Sequence, residues 1–192
     1  MDDNRRRRRR RRRIIASAVF LAIALSLSWF FESQATTTVI FVRYADATEG
    51  SSANPGLSAA GKRRATELAR VLGDVDVVAG VDAIFATQYR KSQETAEPLA
   101  QIAQELPLTV QVVDATNIRG LADMILQEYK GQIVLVVTDR EALPQLIRRF
   151  HGSKKLPPMA ELEHDNLYIV SIPWYGKVKT LRLKYGVPFV PQ

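Results

Sequence analysis

The sequence predicts a three-layer α/β/α domain on a mostly parallel sheet with a C-terminal edge hairpin, preceded by an N-terminal membrane-spanning or signal helix. Three observations lead there. From Thr36 onward, short apolar runs rich in β-branched residues alternate with segments of helical periodicity, the pattern of crossovers between parallel strands. The last two apolar runs are parted only by Pro173-Trp174-Tyr175-Gly176, which reads as a hairpin at the sheet edge. At the front of the chain, nine consecutive arginines, Arg5 to Arg13, precede eighteen residues without a charge, Ile14 to Phe31.

As a helix, eighteen residues span roughly 27 Å, close to the hydrocarbon thickness of a bilayer. Trp29, Phe30 and Phe31 fall where an aromatic belt meets the far interface. Arginines on the N-terminal side orient such a segment with the rest of the chain outside the cytoplasm, periplasmic in a bacterium. Two forms stay open: a retained signal anchor, or a signal peptide cleaved after Ser33-Gln34-Ala35. Residues 1–35 are thus set apart from a domain at 36–192, with residues 5–31 as the expected membrane contact.

Within the domain the expected strands are Val39–Val42, Ala83–Ala86, Thr109–Val113 and Ile133–Val137, followed by Leu167–Ile172 and Val178–Leu183. The expected helices are Ser58–Leu72, Arg90–Gln104, Ile118–Tyr129 and Glu141–Phe150. Ser58 reads as an N-cap, and Gly73, Gly131 and Gly152 as helix stops. Ligands of open sheets of this kind bind outside the carboxyl ends of the strands. The residues just past the first, second and fourth strands are therefore the candidate site.

The formal charge of +7 points to nucleic acid only until its source is located. Without the nine N-terminal arginines and the acids Asp2, Asp3 and Glu32, the domain has 18 basic and 17 acidic residues. No nucleic-acid partner is expected for it. There is no cysteine, which excludes disulfides and thiolate chemistry. The two histidines, His151 and His164, stand in no metal-ligand spacing, so neither a metal nor a cofactor is expected. His151 reads as a helix C-terminal partner and His164, in Glu163-His164-Asp165, as a solvated loop residue.

Four blocks fall in a known order. Val42-Arg43-Tyr44-Ala45-Asp46 closes the first strand, and Asn54-Pro55-Gly56-Leu57-Ser58-Ala59-Ala60-Gly61 opens the first domain helix. The run from Ala86 to Leu99, with Arg90-Lys91-Ser92-Gln93-Glu94-Thr95-Ala96, spans the second strand end and its helix. Val136-Val137-Thr138-Asp139-Arg140-Glu141-Ala142-Leu143-Pro144 closes the fourth strand. From Thr36 to about Leu183 the chain resembles the histidine phosphatase superfamily, of phosphoglycerate-mutase-like fold. The resemblance implies phosphoryl transfer through a phosphohistidine, with arginines and a second histidine clamping the phosphate. That chemistry rests on positioning and charge stabilisation.

The resemblance also marks what has changed. In the family pattern Arg-His-Gly/Ala-Glu/Asp, then Arg-Ala/Ser-x-x-Thr-Ala, then Gly-His, the nucleophile position holds Tyr44 and the second-histidine position holds Asp139. Arg43 is kept, Asp46 is the following acid, and Lys91 stands at the second arginine, with Arg90 beside it as an alternative clamp. A phenol of pKa about 10 is roughly 0.1% ionised at neutral pH, a weak nucleophile beside imidazole. A carboxylate about 4 Å from a phosphate oxygen costs on the order of 4 kcal/mol per unit charge at an effective dielectric of 20. Two expectations follow for Asp139: pairing with Arg43, Lys91 and the Tyr44 hydroxyl in a closed network, and capping of the fourth domain helix. The expected function is a histidine-phosphatase-fold protein that has lost phosphomonoesterase activity and binds a phosphorylated small molecule or a protein. The alternative is an active phosphomonoester hydrolase of the same superfamily, working through Tyr44 or an unusual constellation.

Overall fold

The computed structural model describes residues 2–32, 36–50, 53–73, 80–102 and 108–189; for 2–9 and 29–32 it describes the backbone only. The chain forms two compact units, residues 1–35 and 36–192.

The first unit is one helix, α1 (Asp2–Glu32). Its apolar side chains have no core to join: Ile14, Ile15, Val19, Phe20, Leu21, Ile23, Leu25 and Leu27 are all exposed. Among the described residues no helix is long and apolar enough to cross a membrane. The expected span therefore gains no support from the fold. The side chains of its aromatic end, residues 29–31, and the expected cleavage site at Ser33-Gln34-Ala35 lie outside the described residues.

The second unit contains β1 (Thr37–Arg43), α2 (Ala59–Gly73), β2 (Ala83–Thr87), α3 (Arg90–Ile102), β3 (Val110–Val113) and α4 (Ile118–Glu128). It continues with β4 (Ile133–Thr138), α5 (Ala142–Arg149), β5 (Asn166–Ile172) and β6 (Lys179–Lys184). The sheet order is β3-β2-β4-β1-β5-β6. β1 to β4 run parallel, β5 is antiparallel to β1, and β6 closes the hairpin at the edge. The expected architecture is present, each element within a few residues of its expected bounds. Ala103 and Gln104, which end the expected Arg90–Gln104 helix, lie outside the described residues.

Alternation along the strands builds two apolar layers. Val39 and Phe41 face α4 and α5, joining Ile125, Leu146 and Phe150. Ile40 and Val42 face α2 and α3, joining Leu68, Leu72 and Leu99. Both core faces of β1 are sealed, so its carboxyl end is a fixed platform.

Local signals act largely as read. The Ser58 hydroxyl accepts the Gly61 N–H at 3.0 Å, which satisfies a first-turn donor of α2. Gly61 is glycine for lack of room: a Cβ there would collide with the Asp46 carbonyl oxygen. The last stop differs from expectation. His151, at φ 58°, is the left-handed residue after α5, while Gly152 donates its N–H to Ile147 and has no space for a side chain. His151 thus ends the helix through its backbone.

Candidate active site

The carboxyl end of β1 sits between the carboxyl end of β4 and the amino end of the antiparallel β5. Arg43 is in register with Thr138, and the Tyr44 N–H donates to the Thr138 carbonyl at 3.1 Å. Tyr44 and Asp139 therefore leave neighbouring strands side by side. From the α3 side, the Thr95 hydroxyl accepts the Ala45 N–H at 2.9 Å and donates to the Lys91 carbonyl at 2.7 Å. The first of these bonds fixes the turn after β1 against the second turn of α3. It brings Lys91 over Tyr44, with the ammonium nitrogen 3.8 Å from the ring centroid. The Arg43 guanidinium lies 5.2 Å from the same centroid.

Arg43 is buried, so it is no surface ion-pair partner. Its Nη1 donates to three backbone carbonyls: Glu161 at 2.6 Å, Glu163 at 3.2 Å and Ala160 at 3.3 Å. Its Nε is buried without a partner. The loop before β5 therefore claims the guanidinium, and the expected pairing of Arg43 with Asp139 is not formed. Nor does Lys91 reach Asp139: among the described residues no ion pair joins them. Asp139 Oδ1 instead accepts the Ala142 N–H at 2.7 Å, and its carbonyl accepts the Leu143 N–H. Of the two expectations for Asp139, capping is the one realised: the helix end offers unsatisfied N–H donors at the spot where β4 stops.

The remaining sequence candidates lie off the centre. Asp46 Oδ2 accepts from Arg64 Nε at 2.8 Å; burial pushes its carboxyl up, but Arg64 outweighs that and holds it below the usual range. Arg90 is exposed and donates to Glu94 at 2.6 Å, while Glu94 also accepts the Leu57 N–H. Of the two possible clamps, Lys91 is the one that faces Tyr44.

Sequence reasoning missed His164. It is buried, not solvated. Its Nδ1 lies 2.8 Å from the Tyr44 carbonyl, and its ring packs tilted against the Tyr44 ring, centroids 5.9 Å apart. Since a carbonyl only accepts, Nδ1 carries the proton, and the lone pair of the neutral ring sits on Nε2. Burial, then the Arg43 charge, push His164 below its ordinary value, against the opposing pull of the Tyr44 carbonyl. A signal was available. Glu163-His164-Asp165 directly precedes the strand beside β1, and antiparallel pairing of Val42 with Leu167 carries His164 to the β1 exit. Tyr44 is polarised in turn: burial pushes its phenol up, but Lys91 and Arg43 outweigh that and bring it below the ordinary value. Among the described residues no group of acids and histidines could hold a metal ion.

No protein-family model matches the sequence, and no curated protein matches it either. Solved structures do. The protein histidine phosphatase SixA complexed with tungstate superposes with a TM-score of 0.63 at 15% identity, covering 77% of this chain and 96% of that one. A mycobacterial hydrolase gives 0.58 at 14% identity, covering 81% and 93%. The mycobacterial glucosyl-3-phosphoglycerate phosphatase gives 0.56 at 13% identity, covering 78% and 98%. The fold is that of the histidine phosphatases.

Proposed function

We propose that this chain is a pseudophosphatase: a histidine-phosphatase-fold protein that binds a phosphorylated small molecule or protein without hydrolysing it. The observation that carries this reading is the occupancy of the nucleophile seat. At the position the resemblance assigns to the family's nucleophilic histidine, the Tyr44 ring stands between Lys91, 3.8 Å from its centroid, and His164. Arg43 spends Nη1 on three carbonyls, and the Asp139 carboxylate adds negative charge at the adjacent strand end. Lys91 keeps a positive charge facing the seat, which suits an anionic ligand. Two of the solved neighbours named above are a protein histidine phosphatase and a glucosyl-3-phosphoglycerate phosphatase, which supports a phosphorylated ligand here.

We further propose that residues 5–31 anchor or export the domain, leaving it on the non-cytoplasmic side of a membrane. The support is the arginine run followed by a charge-free segment. A reporter fused after Gln192 should be active outside the cytoplasm; activity inside it overturns this reading.

One observation favours a second reading. The Tyr44 phenol is shifted down by its two cations and has a buried, neutral-leaning His164 beside it, an arrangement suited to a tyrosine nucleophile. Turnover of p-nitrophenyl phosphate separates the two. The pseudophosphatase reading expects none measurable from the wild-type domain, together with vanadate or phosphate binding that weakens in Lys91→Met. Turnover near 1–10³ s⁻¹, the common enzyme range, that vanishes in Tyr44→Phe would establish the second reading. The scaffold can be tested in the same assay. Tyr44→His, Lys91→Arg and Asp139→His together should confer phosphatase activity with an acid-labile phosphohistidine at position 44. Each change alone should do little, because residues acting as a unit are strongly non-additive.

A further inference from the structure

The end of the sheet opposite the candidate site has an unexplained surface. Thr37, where the domain's first strand begins, pairs with Ile172, the last residue of β5, so the hairpin tip Pro173–Val178 lies at the edge where the chain enters the domain. At that tip Trp174 is 53% exposed and Tyr175 86% exposed, with ring centroids 6.4 Å apart. Lys177 and Lys179 flank them, both exposed. The loop after α5 joins the same end: the Ser153 N–H donates to the Thr180 hydroxyl at 2.9 Å, which brings the exposed Lys154 and Lys155 to the hairpin. Among the described residues none of these four lysines is in an ion pair.

The chemistry here is one-sided. Neither the stretch 142–160 nor the stretch 166–192 contains a single Asp or Glu, although the domain as a whole has 18 basic and 17 acidic residues. Amphipathic aromatic rings beside unpaired lysines match the headgroup layer of an anionic bilayer, which accepts the rings at the interface and the ammonium groups at the phosphates.

We propose that this hairpin end docks on an anionic membrane surface: Trp174 and Tyr175 enter the headgroup layer, and Lys154, Lys155, Lys177 and Lys179 pair with lipid phosphates. The seven residues of β1 then hold the Tyr44 seat about 20 Å from the bilayer, at the edge facing away from it. The inference rests on the membrane localisation proposed above, and it assigns the orientation of the domain on that membrane.

The test uses the domain 36–192, to which all the described core residues belong. The chain has two tryptophans, Trp29 and Trp174, so in this domain Trp174 is the sole fluorophore of its kind. Equal-part phosphatidylglycerol–phosphatidylcholine vesicles should shift its emission to the blue, and brominated lipids should quench it. Pure phosphatidylcholine vesicles should do neither. Reversing the four lysines to glutamate leaves the reporter in place and should weaken vesicle partitioning by at least about ten-fold, since each lysine near an anionic surface contributes severalfold. A folded domain, by far-UV dichroism, whose Trp174 emission ignores anionic vesicles would overturn the proposal. So would binding indifferent to the four reversals. A single-stranded RNA that produces the same shift and displaces the vesicles would overturn it as well, in favour of a nucleic-acid surface. If the full chain partitions to membranes while the domain alone does not, docking fails and the anchoring reading stands.

Discussion

On the β5 side of Arg43 the charged groups are closed on one another; on the β4 side they are not. Lys184 Nζ donates to Glu163 at 2.6 Å and to Asp165 at 2.8 Å. The second oxygen of Glu163 accepts the Ala160 N–H, and that of Asp165 accepts the Phe189 N–H. Both carboxylates are buried and each has a charged partner plus a backbone donor. Across Arg43, Tyr44 is half-buried, the Lys91 ammonium rests on a ring face, and the Asp139 carboxylate serves a helix end. Closed networks of buried charge hold a fold in one arrangement. A cation lying on an aromatic face, with no carboxylate opposite, is a weaker contact that an anionic ligand can replace. The difference separates the charged groups that the fold consumes from those it leaves without a charged partner.

The largest loss is expected on the closed side. Lys184→Met leaves two buried carboxylates facing each other without their cation, and should destabilise the domain by about 3 kcal/mol, read from urea midpoints. Glu163 gives the same cluster a pH signature. Burial pushes its carboxyl up, but Lys184 and the Ala160 N–H outweigh that and hold it at about 2 against the ordinary 4.5. The folded value is depressed, so the unfolded chain takes up the proton more readily. This stability is fully present above about pH 4.5 and is lost as pH falls towards about 2, an amount of about 3 kcal/mol. In Lys184→Met that acid-dependent loss should shrink. If the acid profiles of wild type and variant coincide, the network is not closed in the way described.

A smaller effect is expected at the joint between β1 and α3. Thr95→Val keeps the side chain's shape but removes the acceptor of the buried Ala45 N–H. An unpaired buried donor costs about 1–3 kcal/mol, and Thr95→Ser should recover most of it. A stability unchanged in Thr95→Val would mean that the turn carrying Tyr44 is not pinned by this bond.

These residues also show how far the sequence could be read. The strands, the helices and their order follow from periodicity and caps, because each of those signals is local. Tyr44, Lys91 and Asp139 were placed at one sheet edge by motif spacing, and strand register puts Tyr44 and Asp139 on adjacent strand ends. What stayed hidden was pairing. Arg43 could have reached Asp139 on one side or the loop 160–163 on the other, and only the folded path of that loop decides which carbonyls converge on Nη1. His164 was hidden for the same reason: a histidine between two acids in a loop looks solvated until β5 is known to lie beside β1. The choice between Arg90 and Lys91 turned on helix phase, which a one-residue shift at the start of α3 would reverse.

At the open side, Asp139→Ala should cost about 1 kcal/mol, the usual value of a lost N-terminal cap. Asp139→Asn, which still offers an oxygen to the Ala142 N–H, should cost only a few tenths of a kcal/mol by the similar capping strengths of Asp and Asn. Equal losses in the two variants would mean that the carboxylate charge matters, and a closed network with Lys91 or Arg43 would have to be reconsidered.

The smallest stability effect, and the most informative about the site, is expected for Lys91→Met. The side chain keeps its stem and loses its charge. A cation on a ring at a partly exposed position contributes about 0.5–1 kcal/mol, much of which the methionine's own contact with the ring offsets. The urea midpoint should therefore barely move. The Tyr44 phenol should move clearly, and upward, because Lys91 leads the two cations that hold it below its ordinary value against burial. Tyrosinate absorbance followed through alkaline pH reads this, with Tyr44→Phe subtracted to isolate one tyrosine among the six in the chain. A midpoint that rises at unchanged stability is what an open seat predicts, since the charge then acts on the site and not on the fold. If Lys91→Met unfolds the domain as readily as Lys184→Met, both sides of Arg43 are structural, and the seat at Tyr44 has no charge to spare for a ligand.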